Sequence, residues 1–195
     1  MEFQEVVRRR RMVRNYTDEP VARATIERIV GHARRAPSAG FSQGMYFVVV
    51  TRSDTRRSIA ALAGEDEYAA KGFDRWISTA PVHVAVCVSE ADYHARYSEP
   101  DKLADGNELE WPIPYWWVDA GCSLMLLLLS AVAEGLAAGF VGTHRVGGLN
   151  ELLGIPEAKI PIGVVTIGYP AADRRSSSLG RGRKPAEEVV RWEKW

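Results

Sequence analysis

Apolar positions recur along this chain with two periods, and each period predicts a kind of element. Ile26, Ile29, Val30 and Ala33 follow the i, i+3, i+4, i+7 spacing of one buried helical face, which stops before Pro37. Residues 2–11 also favour helix, and Met12 to Tyr16 read as extended before the turn chemistry of Thr17–Pro20. Tyr46–Val50, Val82–Val88 and Ile162–Ile167 are short β-branched or aromatic runs bounded by polar or glycine-containing stretches, the pattern of strands. Asp54–Leu62 and Leu149–Leu153 predict short helices, and Gly139–Gly148 predicts a glycine-rich loop. Between Glu90 and Pro114 no period holds. A stretch of that length in a compact domain is usually functional, and with Tyr93, Tyr97 and Trp111 it reads as a lid or rim. Helices and strands alternate irregularly, without repeat or linker, so residues 1–195 predict a single domain of α+β or mixed α/β class, with room for two further strands.

Ala120 to Ala133 is apolar throughout and bracketed by Asp119 and Glu134. It is shorter than the roughly 20 residues of a membrane span, so it predicts a buried helix and no membrane association. A helix hydrophobic on every side needs cover all round, and in a chain of this size a second subunit is a natural source, the first indication of a dimer. The end of the chain, with Val189, Val190, Trp192 and Trp195, likewise needs a surface to dock on. Basic and acidic residues number 25 each, so no global field draws the protein to nucleic acid or anionic lipid. Cys87 and Cys122 lack CxxC or Cys/His spacing and read as free thiols in a reducing compartment, with no disulfide. At the N-terminus basic residues follow a short apolar stretch instead of preceding one, the wrong order for a secretory signal, so a cytoplasmic location is expected.

The chain carries no P-loop, no G-x-G-x-x-G after a strand, no H-E-x-x-H and no G-x-S-x-G, and its histidines, His32, His83, His94 and His144, are scattered. Neither metal chemistry nor a catalytic triad is expected. What remains is basic residues near both ends and Gly/Ser-rich loops between them, a set suited to an anionic cofactor. In RRRMVRNYTDEPV, Arg10, Met12 and Arg14 alternate along an extended segment and are expected to line one wall of a pocket, with Arg11 reaching the other side. The same run also reads as a nucleic-acid or localisation patch, or as a solvated helix end; neutral net charge and the lack of a second basic helix weigh against the first.

Four blocks in order resemble the nitroreductase family. The first is the basic segment, similar to that family's R-R-S-x-R-x-F signature and followed, as there, by an acidic turn, Pro-Val and an amphipathic helix. The second, APSAGFSQGMYFVVV from Ala36 to Val50, resembles A-P-S-x-x-N-x-Q-P-W-x-F-x-V. The third runs from Asp119 through the helix to Gly135-Leu136-Ala137-Ala138-Gly139-Phe140-Val141-Gly142, similar to G-L-G-x-x-W-I-G, and the fourth is PIGVVTIGYP, leading to a basic RGRK tail.

The resemblance implies an α+β nitroreductase-like fold, a central and mainly antiparallel sheet flanked by helices, in an interlocked homodimer with the C-terminal arm exchanged. It implies FMN as cofactor and hydride transfer from NAD(P)H through flavin N5 to a small organic acceptor of nitroaromatic, quinone or enone type. A flavin-binding protein with little turnover, or a different flavin reaction such as dehalogenation or flavin fragmentation, is compatible with the same fold. By residue, it places Arg10, Arg11 and Met12 at the FMN phosphate and ribityl chain and Arg14 near flavin N1 and O2. Pro37, Ser38, Ala39 and Phe41 match the loop supplied by the other subunit; Val141, Gly142 and Thr143 match the backbone facing N5 and O4; Arg181 and Arg183 match the pair that returns to the phosphate. No side chain is implied as a catalytic acid or base. Met12 stands at a usual Ser position, Phe41 where Asn is frequent, and Gly44-Met45 in place of Pro-Trp, so the departures gather where the ring would be packed.

Overall fold

Alternation along Val82–Val88 organises the molecule. The computed structural model describes residues 1–174 and 176–195. Its elements run α1 (Phe3–Arg9), α2 (Arg23–Ala33), β1 (Met45–Val50), α3 (Ser53–Leu62), α4 (Glu65–Ala70), β2 (Val82–Val88), α5 (Glu90–Tyr97), α6 (Tyr115–Ala133), β3 (Ala137–Gly142), α7 (Leu149–Leu153), β4 (Ile160–Gly168) and α8 (Ala186–Val189). The four strands form one antiparallel sheet in the order β1-β2-β4-β3. Because side chains on a strand point alternately to opposite faces, Val82, Val84 and Val86 pack with Ile26 and Ile29 of α2 and Leu127, Leu128 and Ala131 of α6. Ala85 and Cys87 face the other way, against Ile59 and Ala60 of α3 and Leu149 of α7. Every residue of β2 is buried, as a central strand covered on both faces requires. The predicted α+β class, with an antiparallel sheet flanked by helices, is what the structure has.

Three sequence expectations need correction. Gly139–Gly148 is not wholly a loop: its first part belongs to β3, one of the two further strands allowed for. Gly139 is small for contact, not for turning, since a Cβ there would lie 2.5 Å from the Val13 carbonyl oxygen and 2.9 Å from the Trp76 ring. Second, Glu90–Tyr97 is helical, pinned by the His94 pairings to Glu90 at 3.4 Å and to Glu108 at 2.6 Å. Third, the apolar helix begins at Tyr115, because Asp119 lies inside it with its carboxylate satisfied. At 19 residues and mean hydropathy 1.7, α6 is long and apolar enough to span a membrane, so the length argument against a span fails. Half of it is buried in the fold, between α2 and the sheet. The docking expected for the terminal tryptophans is not met within one chain, where Trp192 is 85% and Trp195 98% exposed. Cys87 and Cys122 are free thiols, as expected.

Candidate functional site

The outer edge of β3 is half covered by the chain's own N-terminal segment. Met12 bridges Ala138, the Val13 N–H donates to the Ala138 carbonyl at 3.0 Å, and Tyr16 bridges Pro170. Val13 and Tyr16 are buried with Ala80 and Ala137. The Tyr16 hydroxyl donates to the Val13 carbonyl at 3.0 Å and lies 2.8 Å from Thr166 Oγ1, and burial holds its phenol protonated far above the ordinary value. With Val13 and Tyr16 turned inward, the Arg14 side chain is left outside. In an antiparallel strand the N–H and C=O of alternate residues share a direction. Phe140 and Gly142 therefore present their amides as Ala138 does, away from β4, and beyond Ala138 that edge borders a cavity of about 610 Å³ lined by Arg14, Phe140, Val141 and Gly142. A Cβ at 142 would meet the His144 ring at 3.0 Å, so glycine keeps this edge of the backbone accessible.

The opposite wall is fixed by a buried carboxylate. Glu65, 3% exposed, accepts the N–H groups of Ile77 at 2.6 Å and Ser78 at 3.1 Å. Arg56 donates to the carbonyls of Ser78 at 3.0 Å and Ala80 at 2.6 Å. These bonds hold the loop before β2 so that Trp76 lines the cavity, its ring 5.8 Å from the Arg14 guanidinium carbon. Arg145 and Tyr68 form a second arginine–aromatic pair on the wall, 4.4 Å from guanidinium carbon to ring centroid. Asp173, Ser176 and Ser177 close the remaining side. The Asp173 carboxylate is nearly buried and accepts Arg11 at 2.8 Å and the Arg14 N–H at 3.1 Å.

One chain thus gathers only some of the residues expected to act together. Arg14, Val141 and Gly142 share the cavity, and Thr143 opens the 3-10 turn Thr143–Arg145 between Gly142 and His144, both of which line it. Arg10 ends α1, its N–H given to the Val6 carbonyl, and Met12 is spent on the β3 bridge. Arg11 lines a separate cleft of about 190 Å³ with Arg9. The alternating wall of Arg10, Met12 and Arg14 is therefore not formed within the chain. Arg181 and Arg183 lie on the exposed tail. Pro37, Ser38, Ala39 and Phe41 are outside the cavity, held instead against α5 and the start of α6. There the Ala39 N–H donates to Asp119 at 2.8 Å, the Gln43 N–H to Ser38 Oγ at 2.7 Å, and Arg96 to the Gly40 carbonyl at 2.9 Å. Phe41 is 74% exposed and has φ of +60°, a left-handed conformation unusual for a bulky side chain.

Sequence reasoning missed Trp76, Glu65, Tyr68 and Arg145, which make up most of the opposing wall. None lies in a motif, and each is brought to the cavity by a loop or a short helix end.

The chain matches the model of the nitroreductase family over residues 7–169. It is 34% identical over 188 residues to FMN reductase [NAD(P)H] of Bacillus subtilis, covering 92% of this chain and 68% of that one. It is 27% identical to iodotyrosine deiodinase of Nematostella vectensis, covering 97% and 74%. Among solved structures, nitroreductase A of Vibrio parahaemolyticus superposes with a TM-score of 0.75 at 23% identity, covering all of this chain and 77% of that one, a likeness of fold. Fold, ordered motifs and family match agree: the chain belongs to the nitroreductase family.

Proposed function

We propose that this protein is an FMN-dependent oxidoreductase that takes hydride from NAD(P)H and passes it to a small organic acceptor, a nitroaromatic, quinone or enone, and that it works as a homodimer. The carrying observation is the cavity at the β3 edge, which combines an outward backbone amide at Gly142, a cation at Arg14 and aromatic walls at Trp76 and Phe140. Its volume of about 610 Å³ is that of a cofactor or ligand pocket, and a flat ring with polar edges and an anionic tail suits that lining. FMN bound there would supply the acceptance and release of hydride.

The chain's own residues supply orientation, charge and exclusion of water. Arg14 offers a positive charge to the side of the ring where negative charge accumulates on reduction. The outward amide of Gly142, with Thr143 after it, offers hydrogen bonds to the ring edge, and Val141, whose own amide faces β4, holds that edge in the sheet. Trp76 and Phe140 hold its plane and keep water away. Arg10, Arg11 and Met12, together with Arg181 and Arg183, are assigned to the phosphate and ribityl end. No acid or base is assigned; Glu65 is committed to two amides and Asp173 to Arg11.

Pro37, Ser38, Ala39 and Phe41 are assigned to the site of a second copy. Three features support this: the exposed left-handed Phe41, the exposed Trp117, Val118 and Met125 on α6, and the bare tryptophans of the tail, apolar side chains that a single chain leaves facing solvent. Two free cysteines fit a reducing, cytoplasmic setting. The deiodinase relative favours reductive dehalogenation as the second reading. The test is an acceptor screen of the NAD(P)H-reduced protein under anaerobic conditions. Turnover of nitroaromatics, quinones or enones supports the proposal, turnover of a halophenol alone favours the second reading, and uptake of flavin without turnover of any acceptor indicates a storage protein.

A further inference from the structure

Three guanidiniums, those of Arg14, Arg145 and Arg174, line the cavity without forming an ion pair among the described residues. Arg14 rests over Trp76 and Arg145 over Tyr68. Arg145 is half-buried, and its hydrogen bonds go to neutral acceptors, the Tyr68 hydroxyl and the Ala63 carbonyl at 3.1 Å. Lys71 adds a cation over the same Tyr68 ring, 5.8 Å from its centroid, and His144 and Arg174 line the cavity beside Arg145. Two carboxylates of the cavity are already engaged, Glu65 by the Ile77 and Ser78 amides and Asp173 by Arg11 and the Arg14 amide; Asp74 is exposed on the loop. The lining thus sets three arginines against three carboxylates, and two of the carboxylates are engaged while the Arg145 guanidinium has no charged partner among the described residues.

A guanidinium stacked on an aromatic face is already oriented, so little side-chain freedom is lost when its remaining N–H groups meet an anion. The planar fork matches two oxygens of a phosphate, and the low polarity of a half-enclosed site strengthens the bond. Arg145 ends the 3-10 turn that follows Gly142, so its backbone continues from the edge amide while its guanidinium sits across the cavity on Tyr68.

We propose that Arg145, oriented by Tyr68, is a specificity-determining residue that binds a phosphate carried into the cavity. The inference rests on the oxidoreductase reading, in which two compounds bring phosphates: FMN through its 5′-phosphate, and the nicotinamide coenzyme through its pyrophosphate and, in NADPH, its 2′-phosphate. Tyr68 is a positioning residue that fixes the direction of the fork.

The test compares the parent with Arg145→Met, Arg145→Lys and Tyr68→Leu. FMN and riboflavin are titrated into apoprotein, and the holoprotein is reduced by NADPH, NADH and reduced nicotinamide riboside, which carries no phosphate. If the coenzyme supplies the phosphate, Arg145→Met raises KM for NADPH or NADH about tenfold to hundredfold but leaves the nicotinamide riboside and FMN constants near those of the parent. If the flavin supplies it, the loss falls on FMN and spares riboflavin. In either case Lys recovers part of the loss, and Tyr68→Leu gives a smaller loss with the same ligand preference. Parent-like constants for FMN, NADPH and NADH in Arg145→Met would overturn the proposal. So would equal losses for phosphate-bearing and phosphate-free ligands, which mark a structural role. Should Arg145→Met not fold, Arg145→Lys and Tyr68→Leu decide by the same pattern. A parent protein that takes up no flavin overturns the oxidoreductase reading itself, before any variant is compared.

Discussion

Replacing Asp119 by alanine cuts the tie between α6 and the loop that carries Phe41, and the structure sets the size of the loss. Asp119 Oδ2 accepts both the Ala39 N–H and the Tyr93 hydroxyl, each at 2.8 Å. Asp119 is 5% exposed and Tyr93 fully buried, so water cannot readily replace the carboxylate. A hydrogen bond to a charged acceptor contributes about 1.5–3 kcal/mol, and two buried donors left without a partner bring the cost to roughly 3–5 kcal/mol. At about 2–4 °C per kcal/mol for a domain of this size, Tm falls by roughly 10 °C. A local effect accompanies the global one. Phe41 and Gln43 hold φ of +60° and +55°, conformations that cost about 1–2 kcal/mol each, and without the Ala39 anchor the loop relaxes. Urea unfolding gives the stability change, and hydrogen exchange at residues 38–43 reports the loop. Tyr93→Phe removes one bond and costs about 1–2 kcal/mol, and the double variant loses less than the sum because one acceptor serves both donors. An Asp119→Ala protein within 1 kcal/mol of the parent by that scale, with unchanged exchange in the loop, would refute the reasoning.

Other consequences are as specific. Burial holds the His83 imidazole at about 4, below its unfolded value, so the unfolded chain binds this proton first on acidification. Its contribution is complete above about pH 6.5 and is lost toward pH 4, roughly 3 kcal/mol in all; His83→Phe should flatten the acid limb of a stability–pH curve. His94, raised by its hydrogen bond to Glu108, acts in the opposite sense, its stabilisation fading as pH rises, so the difference between parent and His83→Phe isolates the buried ring. Gly139→Ala drives a Cβ to 2.5 Å from the Val13 carbonyl, costing about 1–3 kcal/mol and lifting the Arg14 segment from β3; flavin affinity measured by fluorescence titration should fall with it. Arg14→Ala should weaken FMN binding and lower the flavin potential, and a potential equal to the parent's by spectroelectrochemistry would show that Arg14 does not face the ring.

Which parts of the fold were legible from sequence has a physical explanation. Val82–Val88 was found to the residue because a strand covered on both faces is apolar at nearly every position, His83 being the exception. The start of α6 was misread because Asp119 resembles a boundary residue, and the partners that make its burial acceptable come from α5 and the Ala39 loop, far away in sequence. β3 was hidden by Gly139 and Gly142, read as turn formers when one makes room for Val13 and Trp76 and the other for His144. Motif order grouped Arg14 with Val141–Gly142, and all three line one cavity, since a backbone edge and its covering segment keep a recognisable spacing. The wall of Glu65, Tyr68, Trp76 and Arg145 was invisible because it is assembled by long-range hydrogen bonds and stacking between loops. The loop at Pro37–Phe41 is a third case: it was legible as a motif, yet within one chain it packs on α5 and α6, outside the cavity.

Anaerobic reduction of the purified protein tests the assigned function most directly. FMN equimolar with chains, bleached within seconds by NADPH or NADH and restored by an added acceptor, is the expected result. A protein that binds FMN but stays yellow under either nicotinamide would contradict the oxidoreductase assignment.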